Sequence, residues 1–458
     1  MENKSYIVNR SFVNFRADAQ ALLETNILPF WANRMVDYEH GGFYGRIDGH
    51  NILYPEAEKG AVLNARILWT FASACRILHR MPYRILAARA MDYILVRFLD
   101  QKYGGVFWSL NADGSPLDTK KQTYAIAFTI YGLTEFYRAT KDQQALDAAI
   151  RLFEDLETHA YKCENAEMGK CENEKIGKSS NYQIFKSPNG YVEALTRDWQ
   201  PLPDCRLSDK DENCFFSMNT HLHVLEAYTN LYRVLKNVQR DDVQGTKERV
   251  ERQLRTLIDI FATRIFDPTT GHLLLFFDEN WVSLPCAGEE LCSIERPVDG
   301  RRTIQGGVSF SPGHDIEAAW LLHEALEVFG DEELLNQTLP VIHSLAQAAE
   351  DGILRESEWW CFAEAVVGYM DQWQILLDED PQEASINYEL AQAAYEFIQN
   401  RLLDREHGEW FWSVLPDGTP DRTHDKAGFW KCPYHNSRMC FEIIERCAQR
   451  TKTATLKE

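Results

Sequence analysis

The chain has 458 residues, 45% of them hydrophobic, so it can bury a large core, and two or three domains are expected at this length unless the architecture repeats. Acidic residues outnumber basic ones 69 to 48, for a net charge of −21, which repels phosphate backbones and anionic surfaces and argues against nucleic acid or membrane partners. The chain opens without a basic-then-apolar leader and holds no run of about 18 apolar residues. Its eleven cysteines are an odd number, several of them within apolar helical stretches (Cys75, Cys440, Cys447), which fits reduced thiols and a cytoplasmic location. One pairing among Cys163, Cys171, Cys205 and Cys214 stays open.

Apolar residues recur at i, i+3, i+4 and i+7 in runs near 11–33, 60–80, 83–98, 122–140, 142–160, 219–238, 243–265, 314–329, 331–350, 360–377, 384–402 and 436–449. Each run predicts a helix with a buried stripe. The stretch "RFLDQKYGGVFWSLNADGSP" at 97–116 aligns without a gap with "RLLDREHGEWFWSVLPDGTP" at 401–420. Its core, Arg-x-x-Asp-x-x-x-Gly, recurs at Arg34/Asp37/Gly41 and Arg264/Asp267/Gly271, and marks a helix end, a turn and a short strand in which Arg and Asp tie the helix end to the turn. The Asp-to-Asp spacings of 63, 167 and 137 residues accommodate two, four and four helices. Twelve helices in hairpins predict an all-α fold, an (α/α)6 barrel with short β-hairpins in its connections, formed by residues 1–458 as one domain. An insertion at about 161–215 is polar in its first half, as a loop would be, and in its second half, "GYVEALTRDW", reads as a strand pair.

Chemistry concentrates at helix starts. In "NARILW", Arg66 sits within an apolar helix, where an unpaired guanidinium is costly and a substrate oxygen would be a useful partner. In "MNTHLHVLEAY", Asn219, His223 and Glu226 share a face while His221 points elsewhere, which reads either as a site or as a structural hydrogen-bonded array. In "SFSPGHDIEAAWLL", His314 lies in a first turn with Glu317 at i+3 and Trp320 a turn further. The helix dipole disfavours an imidazolium and Glu317 favours one, so His314 is expected near neutrality as a reversible base, the alternative being a helix N-cap. "SEWWCFAEAV" adds Trp360 and Glu364, and "FWKCPYHNSRM" adds His435 at the start of the last helix, where two histidines could face each other across a cavity. The fingerprints of dinucleotide, P-loop, serine-hydrolase and zincin chemistry are absent from the sequence. A metal site from His221, His223, His314 and His435 is disfavoured because His-x-His on a helix splays its rings by about 200°.

Four of these motifs, "MNTHLHVLEAYTNLYR", "GHDIEAAWLL", the tryptophan pair with Glu364, and "FWKCPYHNSRM", resemble in order the N-acylglucosamine 2-epimerase superfamily, most closely its cellobiose 2-epimerases, over residues 11–449. The resemblance implies an (α/α)6 barrel that epimerises the reducing-end glucose of a β-1,4-linked disaccharide to mannose, with no cofactor and no metal. It implies His314 and His435 as the acid/base pair, His223 as an aid to ring opening and Arg66 as the holder of a cis-enediolate. Asn219, Glu226, Glu317 and Glu364 would surround the sugar, Trp320, Trp360 and Trp430 would supply aromatic platforms, and Tyr124 would line the site. The chain departs from the family pattern at Phe362, where a polar residue commonly stands, and in its long insertion. Competing readings are an aldose–ketose isomerase, an N-acylglucosamine or mannobiose 2-epimerase, an inverting glycoside hydrolase using two of the glutamates, and a non-catalytic scaffold. The expected partner is a mono- or oligosaccharide substrate, for a monomer or a homodimer.

Overall fold

The computed structural model describes residues 15–162, 189–284, 310–353 and 355–455. Twelve helices lie among the described residues: α1 (15–34), α2 (Ala61–Leu78), α3 (Met81–Tyr93), α4 (Thr123–Thr140), α5 (Gln143–Asp155), α6 (Met218–Leu235), α7 (Gln244–Ile260), α8 (Pro312–Phe329), α9 (Glu332–Ile353), α10 (Trp359–Leu376), α11 (Pro381–Phe397) and α12 (Tyr434–Thr455). The even-numbered helices form the inner ring. Each packs on the next and α12 closes onto α2, while the odd-numbered helices lie outside, in the expected (α/α)6 barrel. Burial follows position: Thr123–Tyr137 of α4 are buried throughout, whereas α7 buries only the stripe Val250, Leu254, Leu257, Ile258 and Ile260. By length and composition α2 could cross a membrane, which the sequence reading did not foresee, but it is an inner-ring helix with Ala61–Ala74 buried.

The repeated motif sets how outer helices hand over to inner ones. π-helical turns at Ile94–Phe98, Phe261–Ile265 and Ile398–Leu402 end α3, α7 and α11, after which the backbone turns extended. Asp37, Asp100 and Asp404 then each accept two backbone N–H bonds from the turn, and Gly41, Gly104, Gly271 and Gly408 adopt φ between +78° and +82°, a region that favours glycine. The aspartates tie the turn as expected, while Arg34 donates to Asn51 in the next hairpin. The cation that meets the aspartate is a buried lysine about twenty residues on. Lys59 Nζ donates to Asp37 (2.6 Å), Lys121 to Asp100 (3.0 Å) and Lys426 to Asp404 (2.7 Å). Lys426 also donates to Gly408 O and Asn51 Oδ1, so Lys426→Met takes the cation from a buried carboxylate and a donor from two further acceptors, of which Asn51 keeps Arg34. That variant is expected to lose about 3–5 kcal/mol of stability, read as a lower urea midpoint.

Short strands dress the rim. Strand β1 (Lys59–Gly60) pairs antiparallel with β2 (Ser109–Leu110), which pairs with β3 (Pro116–Asp118). Strand β4 (Lys121–Gln122) precedes α4, β5 (Tyr161–Lys162) follows α5, and β8 (Phe216–Ser217) precedes α6 and pairs with β9 (Phe276–Phe277). The described part of the insertion holds β6 (Gly190–Tyr191) and β7 (Ala194–Leu195), but they do not pair with each other: β6 joins β5 and β7 joins β4. Residues 163–188, including Cys163 and Cys171, lie outside the described residues; Cys205 and Cys214 are free thiols.

Between β6 and β7, Glu193 accepts from Ser217 N (3.0 Å) and Thr220 Oγ1 (2.8 Å), so the insertion caps the start of α6. Burial raises its carboxyl to about 7 against the pull of those bonds. A carboxyl whose folded value exceeds its ordinary 4.5 keeps its proton better in the fold, so its contribution is complete at low pH and is lost as pH rises from about 4.5 to 7. Glu193→Gln, a neutral mimic, is expected to gain on the wild type over that window by an amount on the order of 3 kcal/mol. Parallel urea midpoints across the window would refute this.

Candidate active site

All the residues singled out at helix starts fall in the first nine residues of inner helices, apart from Trp430 just before α12, so alternation of inner and outer helices brings them to one end of the barrel. Arg66, sixth in α2, is buried; its Nη2 donates to Tyr124 OH on α4 (2.8 Å), and Nη1 to Cys432 Sγ (3.4 Å). The guanidinium lies 4.1 Å from the Phe128 ring centroid and 4.7 Å from that of Tyr434. Among the described residues no carboxylate pairs with Arg66, and its Nε has no partner. A buried cation without a counter-ion is costly, and an anionic ligand would offset the cost.

Opposite charge gathers nearby. Glu226 Oε2 accepts from His223 Nδ1 (2.9 Å), and its other oxygen meets Tyr434 OH and Arg438. Glu364 Oε1 accepts from His435 Nδ1 (2.7 Å) and Arg438 Nη2 (2.7 Å), and Oε2 from Trp320 Nε1 (3.0 Å). Glu317 Oε1 accepts from Arg438 Nη2 at 2.5 Å and lies 3.9 Å from His435 Nδ1. Burial alone would raise Glu226, but Arg438, His223 and Tyr434 overcome it and hold Glu226 at about 2. Burial and the Glu364 charge instead raise Glu317 to about 7. Burial, helped by Arg66 and Arg438, pushes His435 well below its usual range, so its imidazole is neutral with Nδ1 against Glu364.

His314 departs from expectation. Glu317 is not its partner: that carboxylate turns across the ring to Arg438, and His314 Nδ1 instead shares a 2.6 Å hydrogen bond with Ser311 Oγ. Ser311, not His314, occupies the N-cap position of α8. With no carboxylate beside it among the described residues, burial and His223 lower His314 to about 3 rather than holding it near neutrality. Trp360 brings the two histidines together, its ring centroid 4.7 Å from His314 and 5.8 Å from His435. Trp430 lies 6.1 Å from Tyr124 and 5.8 Å from Trp108. Asn219 Oδ1 and Glu317 Oε2 are buried with no partner among the described residues. Phe362 stacks on Phe397 of α11 at 4.0 Å, so this departure from the family pattern faces the outer layer and not the cavity.

His221 belongs to the framework: Nδ1 donates to Ser217 O (2.7 Å) and Nε2 accepts from Tyr191 N (3.0 Å). Glu317, Glu364 and His435 bring ligand atoms within 4.8 Å of one another, but the cation already seated between the two carboxylates is Arg438.

The sequence profile of the N-acylglucosamine 2-epimerase family matches residues 42–195. A cellobiose 2-epimerase of Bacteroides fragilis is 45% identical over 446 residues, covering 94% of this chain and 98% of that protein. The chain belongs to the N-acylglucosamine 2-epimerase family. Within that family, the solved structure of a cellobiose 2-epimerase from Bacillus thermoamylovorans superposes with a TM-score of 0.76 at 32% identity, covering 94% of this chain and 99% of that one. A D-mannose isomerase structure shares the fold at a TM-score of 0.69 and 17% identity, with 94% and 98% covered.

Arg438 and Tyr434 join this cluster but were not singled out from the sequence. The signal was available in "YHNSRMCF": an arginine inside an inner helix demands partners as Arg66 does, and at i+3 from His435 it shares that histidine's face.

Proposed function

We propose that the chain is a sugar 2-epimerase that interconverts glucose and mannose at the reducing end of β-1,4-linked disaccharides, cellobiose to 4-O-β-glucosyl-mannose, as one catalytic domain in the cytosol. Its seven described cysteines are all free thiols, which supports a reducing compartment. The observation that carries the reading is the buried Arg66, without a carboxylate partner among the described residues, in a site that also holds two neutral histidines against Trp360. A reaction that creates an anion beside Arg66 and moves protons fits this arrangement.

The ring opens as O1 gives up a proton and O5 takes one, with His223 assisting. One of His314 and His435 then removes the C2 proton, the electron pair passes to O1, and Arg66 holds the cis-enediolate. The enediolate charge draws a solvent proton onto the other histidine, which delivers it to the opposite face of C2 while the first histidine releases its own to solvent, and ring closure gives the epimer. Asn219 and Glu317 offer unpartnered oxygens to sugar hydroxyls, while Trp320, Trp360, Trp430 and Tyr124 present faces or edges to the sugar. A cavity of about 250 Å³ beside Trp430, lined also by Arg46, Trp412, His424 and Asp425, has room for the second glycosyl unit and favours a disaccharide over a monosaccharide.

The test is proton NMR of cellobiose with the protein in D2O and excess EDTA. Glucosyl-mannose carrying deuterium at C2 is expected. Formation of 4-O-glucosyl-fructose alone would indicate an isomerase, and release of glucose a hydrolase.

A further inference from the structure

Arg438 does not reach the reacting sugar in the scheme above, yet every carboxylate of the site ends on it. It is 1% exposed, its guanidinium lies 4.2 Å from the ring centroid of Tyr434 and 4.7 Å from that of Trp320, and it receives Glu226 from α6, Glu317 from α8 and Glu364 from α10. Two of those carboxylates pass the interaction on: Glu226 to His223 Nδ1 and Glu364 to His435 Nδ1. One cation therefore stands behind the partners of two site histidines on different helices.

The physical consequence concerns tautomers. Three buried carboxylates gathered without a cation cannot all stay ionised, because desolvation and mutual repulsion both favour proton uptake. A protonated Glu364 or Glu226 can donate its O–H to the imidazole Nδ1, which moves the ring proton to Nε2 and removes the lone pair that would face the sugar. Arg438 opposes that uptake: it helps hold Glu226 low and pulls against the burial that raises Glu364, so both carboxylates face Nδ1 as acceptors and Nε2 is left as the base.

We propose that Arg438 is a positioning residue that keeps Glu226 and Glu364 ionised, and thereby fixes both His223 and His435 as Nδ1–H tautomers with basic Nε2 atoms. The inference rests on the epimerase reading for its kinetic arm only. Titratable and charged groups around the cluster are Arg66 from α2, Tyr131 from α4, His223 and Glu226 from α6, Glu317 from α8, Glu364 from α10, and Tyr434 and His435 from α12.

Two measurements test it. In the first, kcat and KM for cellobiose epimerisation are followed from pH 5 to 10 in wild type, Arg438→Met and Arg438→Lys. Arg438→Met is expected to lose about 100-fold or more in kcat with KM changed little, and the acid limb of its kcat profile is expected to move up by about one pH unit or more. Arg438→Lys should recover part of both. Unchanged kcat, or equal losses in the two variants with an unmoved acid limb, would overturn the proposal in favour of plain packing. The second needs no turnover and no change at Arg438: ¹⁵N NMR of the wild-type imidazoles, with His223 and His435 assigned by single substitution. Protonated Nδ1 in both rings is expected, and Nε2–H in either would overturn the proposal. Wild-type protein that makes no epimer would defeat the functional reading, while the tautomer measurement would still decide this one.

Discussion

Replacing His435 or His314 with asparagine is expected to lower turnover by about 10²- to 10⁴-fold, the range supplied by a positioned acid or base, while cellobiose binding stays within a few-fold. Proton loss at C2 and proton return occur on opposite faces, so either substitution blocks both directions. The two variants should nonetheless differ in detail. Among the described residues His435 Nδ1 meets the Glu364 carboxylate and His314 Nδ1 the Ser311 hydroxyl, so an imidazolium at His435 is the better compensated. On that ground His314→Asn, which leaves His435 and Glu364 in place, should retain C2 proton–deuterium exchange without net epimerisation, whereas His435→Asn should lose both. Exchange measured by NMR in D2O beside mannose formation separates the cases, and equal epimerisation by wild type and either variant would remove that histidine from the mechanism.

The barrel was legible because its information is local and repeated. Four copies of Arg-x-x-Asp-x-x-x-Gly and twelve apolar stripes required only helix periodicity and the left-handed glycine of a tight turn. Site membership was legible for a related reason: a ring of hairpins gathers the starts of alternate helices, so histidines and tryptophans at those starts had to meet. Pairing was not legible. Reasoning at i, i+3 assigned Glu317 to His314, but in a closed ring the neighbouring helix is as near as the next turn, and Glu317 answers Arg438 on α12. The same limit hid the lysine partners of Asp37, Asp100 and Asp404, although their regular spacing could have been counted. It also hid the partners of β6 and β7, which joined β5 and β4 because those edges lay open beside them.

Arg66→Met is expected to lower kcat by about 10²- to 10³-fold, the scale set by removing one donor from an oxyanion site, with a smaller change in KM. The charge on O1 exists only once C2 has lost its proton, so the guanidinium contributes more in that state than in the bound sugar. The same variant carries a second, opposite expectation. In the resting protein Arg66 is buried, meets Tyr124 OH and Cys432 Sγ by hydrogen bonds and the Phe128 and Tyr434 rings, and pairs with no carboxylate among the described residues, so no full negative charge offsets the cost of burying its own. Methionine of similar length removes that cost and keeps contact with Phe128 and Tyr434, so the urea midpoint should stay level or rise while activity falls. Contrast with Lys426→Met gives the measurement its meaning: both remove a buried cation, but Lys426 is matched to Asp404 and its loss should destabilise. A fall in midpoint for Arg66→Met as large as for Lys426→Met would make Arg66 a framework residue, and the anion it awaits would have to be sought elsewhere in the cavity.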